Sequence, residues 1–321
     1  MKQILAVILS VSAIVTAADA ATQSNYPTKP VRIIVGFPPG SQADAVGRLF
    51  GQKFAEAWGQ PVVIENVTGA AGNFAADRVA KAAQDGYTLG LLASGLVINP
   101  SLYKLAYDPV KDFAPVSQVT VSPTMLVVHN AVSAKSVQEL IALAKAQPGG
   151  LTFASGGSGS APHMTAELFK SVAGLDIRHI PYKGVTAAIP DILGGRVTMM
   201  FSPIVVVLPV MRERKLRGLA VTSLRRSSAV PELPTIAESG YPGFEVTGWI
   251  GLLAPAMTSP TIVRKLHLET VKALVLPDLR AKLADLGLEV IGNSPDEFAA
   301  AIKSEIPKWA KLIKESGLKP D

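Results

Sequence analysis

The chain contains no cysteine. That absence excludes disulfides, thiol catalysis, cysteine-based metal sites and lipid attachment through a cysteine. Histidine is scarce as well. The four histidines fall at 129, 163, 179 and 267, no two of them four residues apart, and no His-Glu-x-x-His string occurs, so the pattern of a zinc site is missing. Aromatic residues make up 6% of the chain and do not alternate with its basic clusters, Arg212-Glu213-Arg214-Lys215-Leu216-Arg217 and Arg225-Arg226. A nucleic-acid surface would need both, so that class of partner is excluded. The phosphate-binding signatures are incomplete: there is no G-x-x-x-x-G-K-[ST], and Gly157-Ser158-Gly159-Ser160-Ala161-Pro162 places proline where a dinucleotide fingerprint needs its third glycine. No cofactor is expected. The run at residues 4–15 is apolar over about twelve residues, short of the roughly twenty needed to span a bilayer.

What is present begins with that same run. Lys2 precedes it and Ala18-Asp19-Ala20 follows it as a small-x-small cleavage site, so residues 1–20 read as a secretory signal peptide. The expected destination is the periplasm. An exported chain of about 300 residues without disulfides must rely on its hydrophobic core, and it is long enough for two domains. Lysine and arginine exceed aspartate and glutamate by six, a balance that suits an anionic ligand.

Two strings stand out: Gly36-Phe37-Pro38-Pro39-Gly40-Ser41-Gln42-Ala43-Asp44 and Ala154-Ser155-Gly156-Gly157-Ser158-Gly159-Ser160-Ala161-Pro162-His163. Each lies between an apolar run with strand character and a segment of helical periodicity. Such turns expose the unpaired N–H groups and partial positive charge of a helix N-terminus, which suits an anion. Glycine that merely permits a tight turn is the alternative reading. Around them, residues 31–35, 61–65 and 87–93 read as strands alternating with helices, and a second alternation runs from residue 151 to 201. Further strands are expected at 125–129, 216–222 and 249–255, a connector at 100–115, and helices from 261 onward. This predicts an α/β fold of two lobes, each a mostly parallel sheet flanked by helices, joined by two crossover strands that form a hinge. Lobe 1 would hold residues 21–124 and 249–321, and lobe 2 residues 125–248. Ligands of such sheets bind beyond the carboxyl ends of the strands.

Individual residues leave alternatives open. Asp44 and Arg48 are one helical turn apart, so Asp44 either pairs with Arg48 or faces the cleft, fixing the loop or accepting a bond from a ligand. His163 either donates to a carboxylate or caps its helix. Lys183 either reaches an anion or faces solvent. Ser158, His163 and Asp191 could form a hydrolytic triad, but the nucleophile elbow G-x-S-x-G is broken by Ser160.

The strings Tyr26-Pro27-x-Lys29-Pro30-Val31-Arg32-Ile33-Ile34-Val35, Phe37-Pro38-Pro39-Gly40, Asp85-Gly86-Tyr87-Thr88, Tyr107-Asp108-Pro109-x-Lys111-Asp112-Phe113, Pro181-Tyr182-Lys183-Gly184 and Trp249-x-Gly251-Leu252-x-Ala254-Pro255 resemble the Bug (TctC-like) family of periplasmic substrate-binding proteins of tripartite tricarboxylate transporters. The resemblance covers essentially the whole chain after the leader. It implies a two-lobed type II-like binding protein without catalysis, a monomer that captures a small carboxylate (a di- or tricarboxylate, an aromatic acid or an acidic amino acid) and presents it to membrane transporter subunits or to a sensor kinase. It further implies that the carboxylate is gripped by Phe37, Gly40, Ser41, Gln42, Ala43 and Asp44 of one turn and by Ser155, Gly156, Ser158, Gly159, Ser160 and His163 of the other, with Ser94 and Ser202 as wall residues. Ser41 stands where the family often has a second glycine. Its side chain either crowds the ligand or adds a hydroxyl contact.

Overall fold

The computed structural model describes residues 26–316, so the leader lies outside the described residues. Strand β1 (Val31–Val35) is apolar and its last three residues are buried on both faces, as expected of a strand covered by helices on each side. Helix α1 (Gln42–Trp58) follows, with Val46, Phe50 and Phe54 at helical spacing on its buried stripe. The phenyl rings of Phe50 and Phe54 meet edge-on at 5.7 Å, and Phe54 stacks on Trp58 at 4.5 Å. Then come β2 (Val62–Asn66), α2 (Asn73–Ala80), β3 (Thr88–Ala93) and the single turn α3 (Gly95–Ile98). Strand β1 pairs in parallel with β2 and β3.

The same plan recurs further along. Strands β5 (Thr152–Ser155), β6 (Arg178–Pro181) and β7 (Met199–Pro203) are parallel, and they alternate with helices α5 (Ala161–Ala173) and α6 (Val185–Leu193). Helix α7 (Ile204–Arg212) follows β7 as α3 follows β3. Each lobe is completed by antiparallel strands. Strand β9 (Thr247–Pro255) pairs with β3, and β4 (Phe113–His129) pairs with β9, β7 and β8 (Leu216–Val221). Helix α4 (Val137–Ala146) packs in the core of the second lobe. Helices α8 (Pro260–Leu274), α9 (Pro277–Asp285) and α10 (Pro295–Ser316), with the short strand β10 (Glu289–Val290), close the chain on the first. The sheet order is β2-β1-β3-β9-β4-β7-β5-β6, with β10 and β8 also on β4.

Strand β4 starts twelve residues before the strand expected at 125–129 and takes over the end of the connector expected at 100–115. Two register shifts against β9, at Pro115/Ser117 and Gln118/Thr120, break the alternation that would have marked it. Helix α7 has no counterpart in the expected elements. Its run of β-branched residues with Pro209 inside does not read as helix, yet Ile204, Val207 and Leu208 form one buried face.

The partners of β4 change within one step. Pro123 is opposite Thr247 of β9, and Thr124 is opposite Pro203 of β7. The return crossing is equally short: Val246 N–H donates to the Thr222 carbonyl in the second lobe, and Thr247 opens β9. Buried Thr222 ties the two crossings together. Its hydroxyl accepts from Thr124 N–H (2.9 Å) and donates to the Val246 carbonyl (2.6 Å). A third link lies behind the hinge, where Trp309 of α10 packs against the cores of both lobes.

Candidate functional site

Every parallel strand ends at the gap between the lobes, and the turns that leave them meet there. Ser41 is the N-cap of α1 and Ser160 the N-cap of α5, in nearly identical conformations (φ −73°, ψ 162° and φ −72°, ψ 154°). Ser41 Oγ accepts from Asp44 N–H (3.3 Å), and Ser160 Oγ accepts from His163 N–H (3.4 Å). Each hydroxyl therefore keeps its own hydrogen for another acceptor. Among the described residues the N–H groups of Gln42 and Ala43, first in α1, have no protein acceptor.

These ends face a cleft between the lobes. Phe37, Ser41, Gln42, Ala43, Ser94, Gly156 and Ser160 all line it. Its remaining walls are Ala93, Gly95, Ala161, Pro162, Val185, Pro203, Gly248, Trp249 and Ile250. No ionisable side chain is among them, so the cavity is apolar with hydroxyls and amides at its edges. Trp249 is a wall that the sequence offered only as part of a strand. Its place in the site arises when β9 returns beside β3, which no local pattern encodes. A second chamber adjoins the first and shares Phe37 and Gly156 with it. It lies between the turn 69–72 of the first lobe and the turn 181–184 of the second, and Ser158 lines it.

The other candidate residues stand behind these walls. Buried Asp44 pairs with Arg48 (2.9 Å), and it also accepts from Gly40 N–H (3.0 Å) and Asn66 Nδ2 (3.0 Å). Asn66 Nδ2 in turn donates to the Phe37 carbonyl (2.9 Å), so one carboxylate braces both ends of the 37–40 loop. Burial pushes the Asp44 carboxyl up, but the bonds from Arg48, Gly40 and Asn66 more than offset it and hold the group below its usual value. His163 Nδ1 accepts from Gly159 N–H (3.0 Å), and its ring stacks on His179 at 4.1 Å. Ser155 Oγ accepts from Gly157 N–H (3.1 Å) and lies 2.6 Å from His179 Nε2. These groups shape the second turn from beneath. Ser202 Oγ donates to the Pro203 carbonyl (3.2 Å). Asp191 takes bonds from Tyr182 O–H (2.5 Å) and Arg196 (2.6 Å), so it does not orient His163 for a hydrolytic triad. Burial and the bond to Asp191 push the Tyr182 hydroxyl up to about 12.

The lobes touch around the cavity. Tyr103 O–H donates across the gap to the Ser158 carbonyl (2.6 Å), and Gln42 Nε2 donates to Ser122 Oγ (2.6 Å) on the hinge strand. Behind the wall, Trp249 Nε1 donates to Glu305 Oε2 (3.1 Å), and Trp249 meets Phe298 edge-on at 5.3 Å. Burial raises the Glu305 carboxyl above its usual value, against hydrogen bonds from Trp249 and Trp309 that lower it. A raised acid holds more protons folded than unfolded, so stability falls as pH climbs from the usual glutamate value through the raised one. Glu305→Gln is expected to remove that part of the slope, measured as urea midpoints between about pH 4 and about pH 8. An unchanged slope would show that Glu305 ionises as it does in water.

Two lobes bridged by two crossing strands, with helix N-termini converging from both, define a periplasmic binding-protein fold. Residues 46–318 match the model of the tripartite tricarboxylate transporter family receptor, TctC, and the chain belongs to that family. It is 37% identical over 325 residues to the protein BugT of Bordetella pertussis (strain Tohama I), covering 99% of each chain. The structure of the periplasmic binding protein BugD superposes with a TM-score of 0.88 at 33% identity, covering 92% of this chain and all of that one. Rpa4515 of R. palustris with adipate superposes with a TM-score of 0.90 at 34% identity and the same coverage. Members of the family are periplasmic receptors for small carboxylates, not enzymes. Among the described residues no helix is long and apolar enough to cross a membrane.

Proposed function

We propose that the chain is exported by its first twenty residues and serves as the extracytoplasmic, monomeric solute receptor of a tripartite tricarboxylate-type uptake system, binding a small carboxylate between its lobes. The observation that carries this reading is the convergence of the Ser41-capped and Ser160-capped helix ends on one cavity without ionisable walls. A carboxylate entering it finds N–H groups, hydroxyls and two helix dipoles as its counter-charge. Ser41, Gln42, Ala43, Ser94, Gly156 and Ser160 are the contacts of this reading, with Phe37 and Trp249 against the ligand's apolar body. Asp44, Gly40, Ser155, Gly159, His163 and Ser202 hold those contacts in place. The lobe boundaries are taken at the partner switch of β4 and at Val246, close to residues 124 and 248.

Because both lobes contribute contacts, the ligand binds fully only when they are together, and it shifts the population toward that state. That Rpa4515 was solved with adipate supports the carboxylate class. Titration calorimetry on protein freed of carried ligand, against di- and tricarboxylates, aromatic acids and acidic amino acids, tests the reading. At least one is expected to bind, and folded protein that binds none would overturn it.

A further inference from the structure

We propose that the second chamber receives the far carboxylate of an α,ω-dicarboxylate whose near carboxylate lies in the first chamber, with Lys183 as the counter-charge. The inference rests on the carboxylate-receptor reading above and narrows its ligand class. The two chambers adjoin, since Phe37 and Gly156 line both. Their common wall is thus a phenyl ring and a glycine, a surface for methylene groups and not for hydroxyls. The first chamber has no cation, and Lys183 is the sole ionisable lysine, arginine or acid lining the second. No acid competes for it. Asp191, on the helix that follows, is held by Tyr182 and Arg196, and no salt bridge among the described residues uses Lys183. The chamber takes its walls from both lobes, Pro38 and Gly69 to Gly72 on one side and Tyr182 to Gly184 on the other. A group anchored there therefore also draws the lobes together. A monocarboxylate would satisfy the first chamber and leave Lys183 to water. A diacid with a long enough spacer engages both.

The test compares each α,ω-diacid from butanedioate to octanedioate with the monoacid of the same carbon number, by calorimetry, on wild type and Lys183→Met. An ammonium meeting a partly desolvated carboxylate should favour the best diacid over its monoacid by about tenfold. Lys183→Met is expected to abolish that preference while leaving monoacid affinity unchanged, and Lys183→Arg to retain most of it. Lys183 is exposed, so its replacement leaves the core intact. A diacid preference that survives in Lys183→Met overturns this inference alone. If wild type binds neither diacids nor monoacids of the series, this inference fails, and the carboxylate reading falls with it only if tricarboxylates, aromatic acids and acidic amino acids also fail to bind.

Discussion

Gly159→Ala is expected to lower ligand affinity by roughly one hundredfold while leaving each lobe folded. Gly159 sits at φ +82° in the turn of the second lobe, against the segment that follows α3 in the first. A Cβ there would lie 2.2 Å from Asn99 Oδ1 and 3.0 Å from Leu102 Cδ1. Asn99 cannot retreat: it is buried, and its Nδ2 donates to Asn73 Oδ1 (2.7 Å) and the Ala71 carbonyl (3.4 Å). The lobes must part instead, which breaks the bond from Tyr103 to Ser158. The left-handed backbone adds about 1 kcal/mol of strain inside the second lobe, enough to shift its unfolding by a few degrees. Small-angle scattering separates the two effects. Wild type should contract when saturated with ligand, and Gly159→Ala should not. Undiminished affinity in this variant would show that closure does not bring these surfaces together.

Asp44→Ala is expected to weaken binding by at least about tenfold and to destabilise the first lobe by about 1–3 kcal/mol. The carboxylate serves Gly40 N–H and the Asn66 amide, two part-buried bonds that water replaces only in part, whereas Arg48 is half exposed and returns to solvent. Each lost bond costs about 0.5–1.5 kcal/mol, and the slackened 37–40 loop must then be reordered at the expense of binding. Asp44→Asn keeps an acceptor for one donor, so it should fall between. Since Asp44 lies below the usual aspartate value, its contribution is present above that value and is lost as pH falls through the folded one. The alanine variant should therefore lack part of the acid limb of the wild-type stability profile. Chemical denaturation with calorimetry checks both effects. A variant with native stability and weakened binding would place Asp44 on the ligand rather than on the loop.

Much of this arrangement was legible in the chain itself. The two turns were visible because glycine, serine and proline concentrate between an apolar strand and a periodic helix, and the structure places both at one cavity. Ser41 shows the limit of such reading. Its hydroxyl caps α1, an outcome that depends on the loop's path and not on the residue's neighbours. The first half of β4 was hidden because buried Ser117, Thr120 and Ser122 alternate with Val116 and Val119 only between bulges. Trp249 and the second chamber were hidden for a different reason. The turns at 69–72 and 181–184 are each recognisable, but only tertiary assembly sets them opposite one another.

The knot of bonds at Thr222 has a mechanical consequence. With Thr124 and Val246 pinned to the same side chain, bending is confined to the residue or two beyond each pin, and the paired crossings resist sliding and twisting. The jaws then swing about one axis, so the relative placement of their outer surfaces varies along a single angle. A membrane partner that touches both jaws at once could read loaded from empty by spacing alone, without sensing the cargo.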